Sequence, residues 1–116
     1  MAEQELVVTV EQLTDRAGSG AVMRVSGEVD IETSPVLDVH LQALVDEGQT
    51  SVTVDLTEVS FLDSTGLSVL IGALKRCQKA GGELWLVAPQ PNVMRVLEIT
   101  GLTDAFHLTG PEDVSD

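Results

Sequence analysis

Aromatic residues, cysteine and basic side chains are all scarce in this chain. Its 116 residues include one cysteine, one tryptophan, two phenylalanines, no tyrosine, and only 6 lysines and arginines. The single cysteine, Cys77, excludes an intrachain disulfide, and no Cys/His pair has the spacing of a metal site. Against 19 acidic residues the basic ones leave a formal net charge of −13. That balance argues against nucleic acid, which needs clustered Lys and Arg to displace counterions. An anionic surface suits a basic protein partner, whose encounter it would steer, as well as it suits plain solubility. No apolar run approaches the roughly 18–20 residues of a membrane helix. The acidic start Met1-Ala-Glu-Gln-Glu5 lacks the apolar centre of a signal peptide. The expected location is the cytoplasm, with no membrane partner.

What is present is an ordinary globular composition, 43% hydrophobic and 22% charged. Length implies one domain spanning 1–116, with an ordered core over about 5–109 and frayed tails at 1–4 and 110–116. Leu6-Val-Val-Thr-Val10 and Ala21-Val-Met-Arg-Val25 read as strands joined by a Gly-rich hairpin connection over 15–20. Ser34-Pro35 reads as a helix N-cap followed by proline at the first helical position, with Leu37, Leu41 and Leu44 as the core face and Gly48 past the end. Residues 51–56 alternate strictly, Val52, Val54 and Leu56 on one face and Ser51, Thr53 and Asp55 on the other. From Leu67 the period changes, and Leu67, Leu70, Ile71 and Leu74 form a helical stripe over about 64–79. Cys77 falls near that stripe, as a buried thiol, and Lys75, Arg76 and Lys79 complement the helix C-terminus.

Glu83-Leu-Trp-Leu-Val87 is a further strand, Pro89 and Pro91 punctuate the turn into a helix ending at Gly101, and Phe106-His-Leu108 is a short last strand. Strand–helix alternation implies βα crossovers and mostly parallel pairing. The polar face of the strand at 51–56 implies that helices cover one face of the sheet only. The fold class is therefore α/β, a mostly parallel or mixed sheet with an N-terminal hairpin and helices mainly on one face.

The turn Asp63-Ser-Thr-Gly66 lies where the strand period gives way to the helical one. Ser64 is thus at or beside a helix N-terminus, where free N–H groups and the helix dipole favour negative charge. Ser and Asp are both preferred caps, so either Asp63 or Ser64 could serve as a plain one.

The segment Asp55-Leu-Thr-Glu-Val-Ser-Phe-Leu-Asp-Ser-Thr-Gly-Leu-Ser-Val-Leu70 closely resembles the signature of the STAS domain family, the bacterial anti-sigma factor antagonists. The resemblance extends over roughly 5–109. Val25-Ser-Gly-Glu-Val-Asp-Ile31 looks like the family's second strand and acidic loop, and Gly81-Gly-Glu-Leu-Trp-Leu-Val87 and Val96-Leu-Glu-Ile-Thr-Gly-Leu102 like its later strand and helix. Ser68 stands where a glycine is common, and the ending Pro111-Glu-Asp-Val-Ser-Asp116 leaves a terminal helix short or absent. The resemblance implies a non-enzymatic phospho-switch with Ser64 as the phosphorylated residue. Glu28, Asp30, Asp63, Ser64, Thr65 and Gly66 would form the partner surface. The implied partners are a serine kinase that is also an anti-sigma factor, and a metal-dependent serine phosphatase. No cofactor and no catalytic residue are implied, because ATP belongs to the kinase. The alternative is a STAS scaffold that binds constitutively within a larger regulatory assembly.

Rival chemistries lack their parts. A phospho-aspartate receiver using Asp55 needs an acidic pair after the first strand and a late lysine, whereas Val10-Glu-Gln-Leu13 offers one acid and the last lysine is Lys79. A hydrolase using Ser64 needs a base, and only His40, on a helix, and His107, on a strand, are available. No Gly-x-Ser-x-Gly elbow surrounds Ser64, and Gly18-Ser-Gly20 is too short for a phosphate-binding loop.

Overall fold

The computed structural model describes residues 6–15, 18–49 and 51–109. The tails at 1–4 and 110–116, and with them any C-terminal helix, lie outside the described residues. Strands β1 (Val7–Asp15) and β2 (Gly18–Val29) pair antiparallel, with Val8 opposite Val25 and Val10 opposite Met23. The expected hairpin therefore forms, and both strands run longer than 6–10 and 21–25. Helix α1 (Ser34–Asp46) leads to β3 (Ser51–Leu62), α2 (Ser64–Lys79) to β4 (Glu83–Val87), and α3 (Pro91–Ile99) to β5 (His107–Thr109).

The sheet order is β1-β2-β3-β4-β5, parallel from β2 onward. Each crossover steps to the next strand in the same direction, so the handedness rule sends every helix to the same face. Leu37, Leu41 and Leu44 of α1, Leu67, Leu70 and Cys77 of α2, and Val93 and Leu97 of α3 join one buried cluster with Met23, Val25, Val54, Leu56, Leu84 and Leu86. Burial raises the pKa of the Cys77 thiol, as expected of a structural cysteine. The other face of the sheet is polar. Arg24 there bonds Glu11 at 3.0 Å and lies 3.9 Å from Asp55, and Trp85 stacks on His107 with centroids 4.5 Å apart.

Two local readings are corrected. The N-cap of α1 is Thr33, and Ser34 is its buried first residue, because the Asp30 carbonyl already accepts from Ser34 N at 2.8 Å. The strand expected to end at 56 continues to Leu62. Two register shifts against β2, between Arg24 and Ser26 and between Gly27 and Glu28, each add a residue on the β3 side. Bulges of this kind break the strict alternation and bring Val59 and Leu62 back to the core. A strand with a broken period reads locally as a polar turn.

α3 ends in a helix-terminating turn in which Gly101 takes φ +73° and Leu102 N donates to Leu97 O at 2.9 Å.

Candidate functional site

β3 ends and α2 begins around one residue, Asp63, whose backbone is extended and whose N–H donates to Val29 O at 3.1 Å. That bond ties the turn to the end of β2. Asp63 is the N-cap: its Oδ1 accepts from Thr65 N at 2.9 Å, from Gly66 N at 3.1 Å and from the Thr65 hydroxyl at 2.5 Å. The Thr65 hydroxyl, ahead of the two backbone bonds, holds the Asp63 carboxyl below its ordinary pKa. The carboxylate is therefore ionised at neutral pH, at the positive end of a helix.

With the cap supplied by Asp63, Ser64 becomes the first helical residue and is exposed. Three hydroxyls lie in the first turns of α2, and two are occupied. Thr65 Oγ1 donates to Asp63, and Ser68 Oγ donates to Ser64 O at 2.9 Å. The Ser64 hydroxyl makes no hydrogen bond among the described residues. Gly66 is required by a close approach, since a Cβ there would stand 2.5 Å from Val29 Cγ1 and 2.9 Å from Leu62 Cδ1.

The acidic loop lies alongside. Glu28 is in register with Phe61 and Val29 with Leu62, so the loop leaving β2 emerges beside the turn holding Ser64. Asp30 shapes this loop: its Oδ1 accepts from Glu32 N at 2.9 Å and Thr33 N at 3.0 Å. Thr33 Oγ1 donates to Glu28 O at 2.6 Å and accepts from Asp30 N at 2.9 Å. All six residues singled out from the sequence, Glu28, Asp30, Asp63, Ser64, Thr65 and Gly66, thus gather at one end of the sheet. Their roles differ from one another: Asp63 and Asp30 are held by local hydrogen bonds, Gly66 by packing, and among the described residues the Ser64 hydroxyl is without a hydrogen-bond partner.

Two neighbours escaped the sequence reading. Ile31 is 72% exposed in the acidic loop, and Phe61 is 44% exposed opposite Glu28. Both leave apolar surface in water at this edge of the sheet. The signal was available for Ile31, a β-branched residue in a loop with no periodic partner. Phe61 was hidden inside what read as a polar turn. Gln90 and Asn92 at the start of α3 hold this part of β3 by donating to Thr57 O at 2.8 Å and Ser60 O at 2.5 Å.

No histidine serves Ser64. His40 Nδ1 lies 2.8 Å from Val36 O on α1, and His107 pairs with Glu83 at 3.2 Å on the polar face of the sheet. Among the described residues no cluster of His, Cys, Asp and Glu could hold a metal ion, and no helix is long and apolar enough to cross a membrane.

Comparison with known proteins agrees with this geometry. The STAS domain family model matches residues 10–113. The anti-sigma-B factor antagonist of Staphylococcus aureus (strain NCTC 8325 / PS 47) is 35% identical over 92 residues, covering 79% of this chain and 85% of that protein. The crystal structure of an anti-sigma factor antagonist from Mycobacterium paratuberculosis superposes with a TM-score of 0.77 at 33% identity, covering 90% of this chain and 86% of the other. The anti-sigma factor antagonist SpoIIAA in its unphosphorylated form also reaches 0.77, at 21% identity, over 92% of this chain and 91% of its own; that similarity is one of fold.

Proposed function

The chain belongs to the STAS domain family, among its anti-sigma factor antagonists, and from that premise we propose that it works as a phosphorylation-controlled switch centred on Ser64. In its unphosphorylated form it binds an anti-sigma factor that is also a serine kinase, and so releases a sigma factor. The kinase then transfers phosphate from ATP to Ser64 and the complex separates. A metal-dependent serine phosphatase restores the binding form. The surface formed by Glu28, Asp30, Asp63, Ser64 and Thr65, with the buried Gly66 packed beneath it, meets the kinase, in the cytoplasm.

One observation carries this reading. Of Ser64, Thr65 and Ser68, Ser64 is exposed and its hydroxyl alone makes no hydrogen bond among the described residues. The electrostatics support it. A phosphoserine adds a charge of about −1.5 to −2 beside an ionised Asp63. At about 6 Å from a partner carboxylate each unit pair costs roughly 3 kcal/mol with an effective dielectric of 20. Since about 1.4 kcal/mol is tenfold in affinity, one phosphate suffices to release a complex.

Intact mass after incubation with the cognate kinase and ATP tests the proposal. One phosphate is expected on the wild type and none on Ser64→Ala. Phosphate mapped to Thr65 or Ser68 would overturn the assignment. An unmodified wild type that stays bound would favour the constitutive scaffold.

A further inference from the structure

Resting on that reading, we propose that Asp63 is a positioning residue for phosphoryl transfer: by capping α2 it keeps the Ser64 hydroxyl out of the helix's own hydrogen bonding. Asp and Ser are nearly equal as N-caps, and the chain places them side by side at the start of one helix. Only one of them can cap. The residue that does so directs its side-chain oxygen back onto the N–H groups two and three residues on.

In the structure Asp63 holds that position, its Oδ1 taking the N–H groups of Thr65 and Gly66, while its own carbonyl accepts the first helical bond from Leu67 N at 2.9 Å. Ser64 follows as an exposed helical residue whose hydroxyl is unbonded among the described residues. The choice is set from outside the helix, because Asp63 N is anchored on Val29 O. Thr65 supports it by donating its hydroxyl to the same carboxylate oxygen, which also withdraws Thr65 as a competing acceptor of phosphate.

Phosphoryl transfer needs this freedom. A bond forms between Ser64 Oγ and the γ-phosphorus of ATP, the bridging bond between the β- and γ-phosphates breaks to release ADP, and the hydroxyl proton passes to a base of the kinase. The attacking oxygen must stand in line with the leaving oxygen, and catalysis of this step is mostly positioning. Without the Asp63 carboxylate, the next best cap is Ser64 itself. Its oxygen would then swing inward onto the N–H groups of Gly66 and Leu67, away from the nucleotide.

The test compares Asp63→Ala, Asp63→Gly and Asp63→Asn as substrates of the cognate kinase with ATP. Asn keeps the acceptor oxygen without the charge, and Gly is tolerated at an N-cap, so it covers the case in which the alanine variant does not fold. Expected is a fall of about tenfold in kcat for Ala and Gly, the scale set by loss of a cap, read separately from any rise in KM that loss of a side chain from the kinase-facing surface brings. Asn should restore kcat to near the wild-type value. An alanine or glycine variant phosphorylated at the wild-type rate would overturn the proposal. So would an asparagine variant as slow as alanine, which would assign the effect to charge. A wild type that takes no phosphate on Ser64 would instead defeat the functional reading beneath it.

Discussion

Replacing Ser64 by Asp or Glu adds a carboxylate to the first residue of a helix whose nearest free N–H groups Asp63 already holds. The helix dipole favours the added charge and the Asp63 carboxylate opposes it, so the two effects on stability largely offset. Either variant should lose tenfold or more in affinity for the kinase while its melting temperature stays within about 3 °C of the wild type, a shift worth under 1 kcal/mol in a domain of this size. Binding and melting are to be measured on one preparation. A large drop in melting temperature would make Ser64 a structural residue. Gly66→Ala makes the opposite prediction. Its new Cβ would press on the side chains of Val29 and Leu62, both buried in the core. Thermal denaturation should show a loss of about 1–3 kcal/mol, the usual scale of overpacking.

At the scale of the element, the loop from β2 into α1 is built by Asp30 more than it is decorated by it. The carboxylate gathers the N–H groups of Glu32 and Thr33, and Thr33 returns to Glu28. Asp30→Ala removes those acceptors, and at about 1 kcal/mol per hydrogen bond should destabilise the domain measurably as well as weaken the kinase complex. Asp30→Asn keeps the acceptor geometry and loses the charge. If the loop's shape is what the partner reads, urea denaturation and binding titrations should show Asn close to wild type and Ala impaired in both. Asn as weak as Ala in binding, with normal stability, would assign the role to charge.

For the molecule as a whole, the net charge of −13 raises the question of whether the partner senses the total field or one edge of the sheet. Glu28→Gln and Asp46→Ala each remove one negative charge, the first beside the Ser64 turn and the second at the far end of α1. Stopped-flow association should slow more for Glu28→Gln, and the difference should shrink as salt rises and the Debye length falls below about 8 Å. Equal slowing by both would show that total charge matters and not this edge. The same scale explains the uneven sheet. Helices all pass to one face because the strands are ordered by sequence, and the other face is left to Arg24, Glu11, Asp55 and the Trp85–His107 stack.

The sequence alone determined the α/β class, the hairpin, the sided packing of the helices and the place of the Asp63–Gly66 turn. Each of these follows from periodicities and breakers that act within a few residues: alternation at 51–56, the leucine stripe from Leu67, glycines at helix ends. The tertiary structure decided what depends on contacts distant in sequence. Asp63 and Ser64 are nearly equal caps by residue type, and the bond from Asp63 N to Val29 O, 34 positions back along the chain, favours Asp63 from outside the helix. The β3 extension to Leu62 survives two bulges because β2 and the side chains of Gln90 and Asn92 hold it, while its own pattern reads as a turn. The exposure of Phe61, and the extent of that of Ile31, belong to the fold, since an apolar side chain states a preference for burial and the fold alone shows whether it is met.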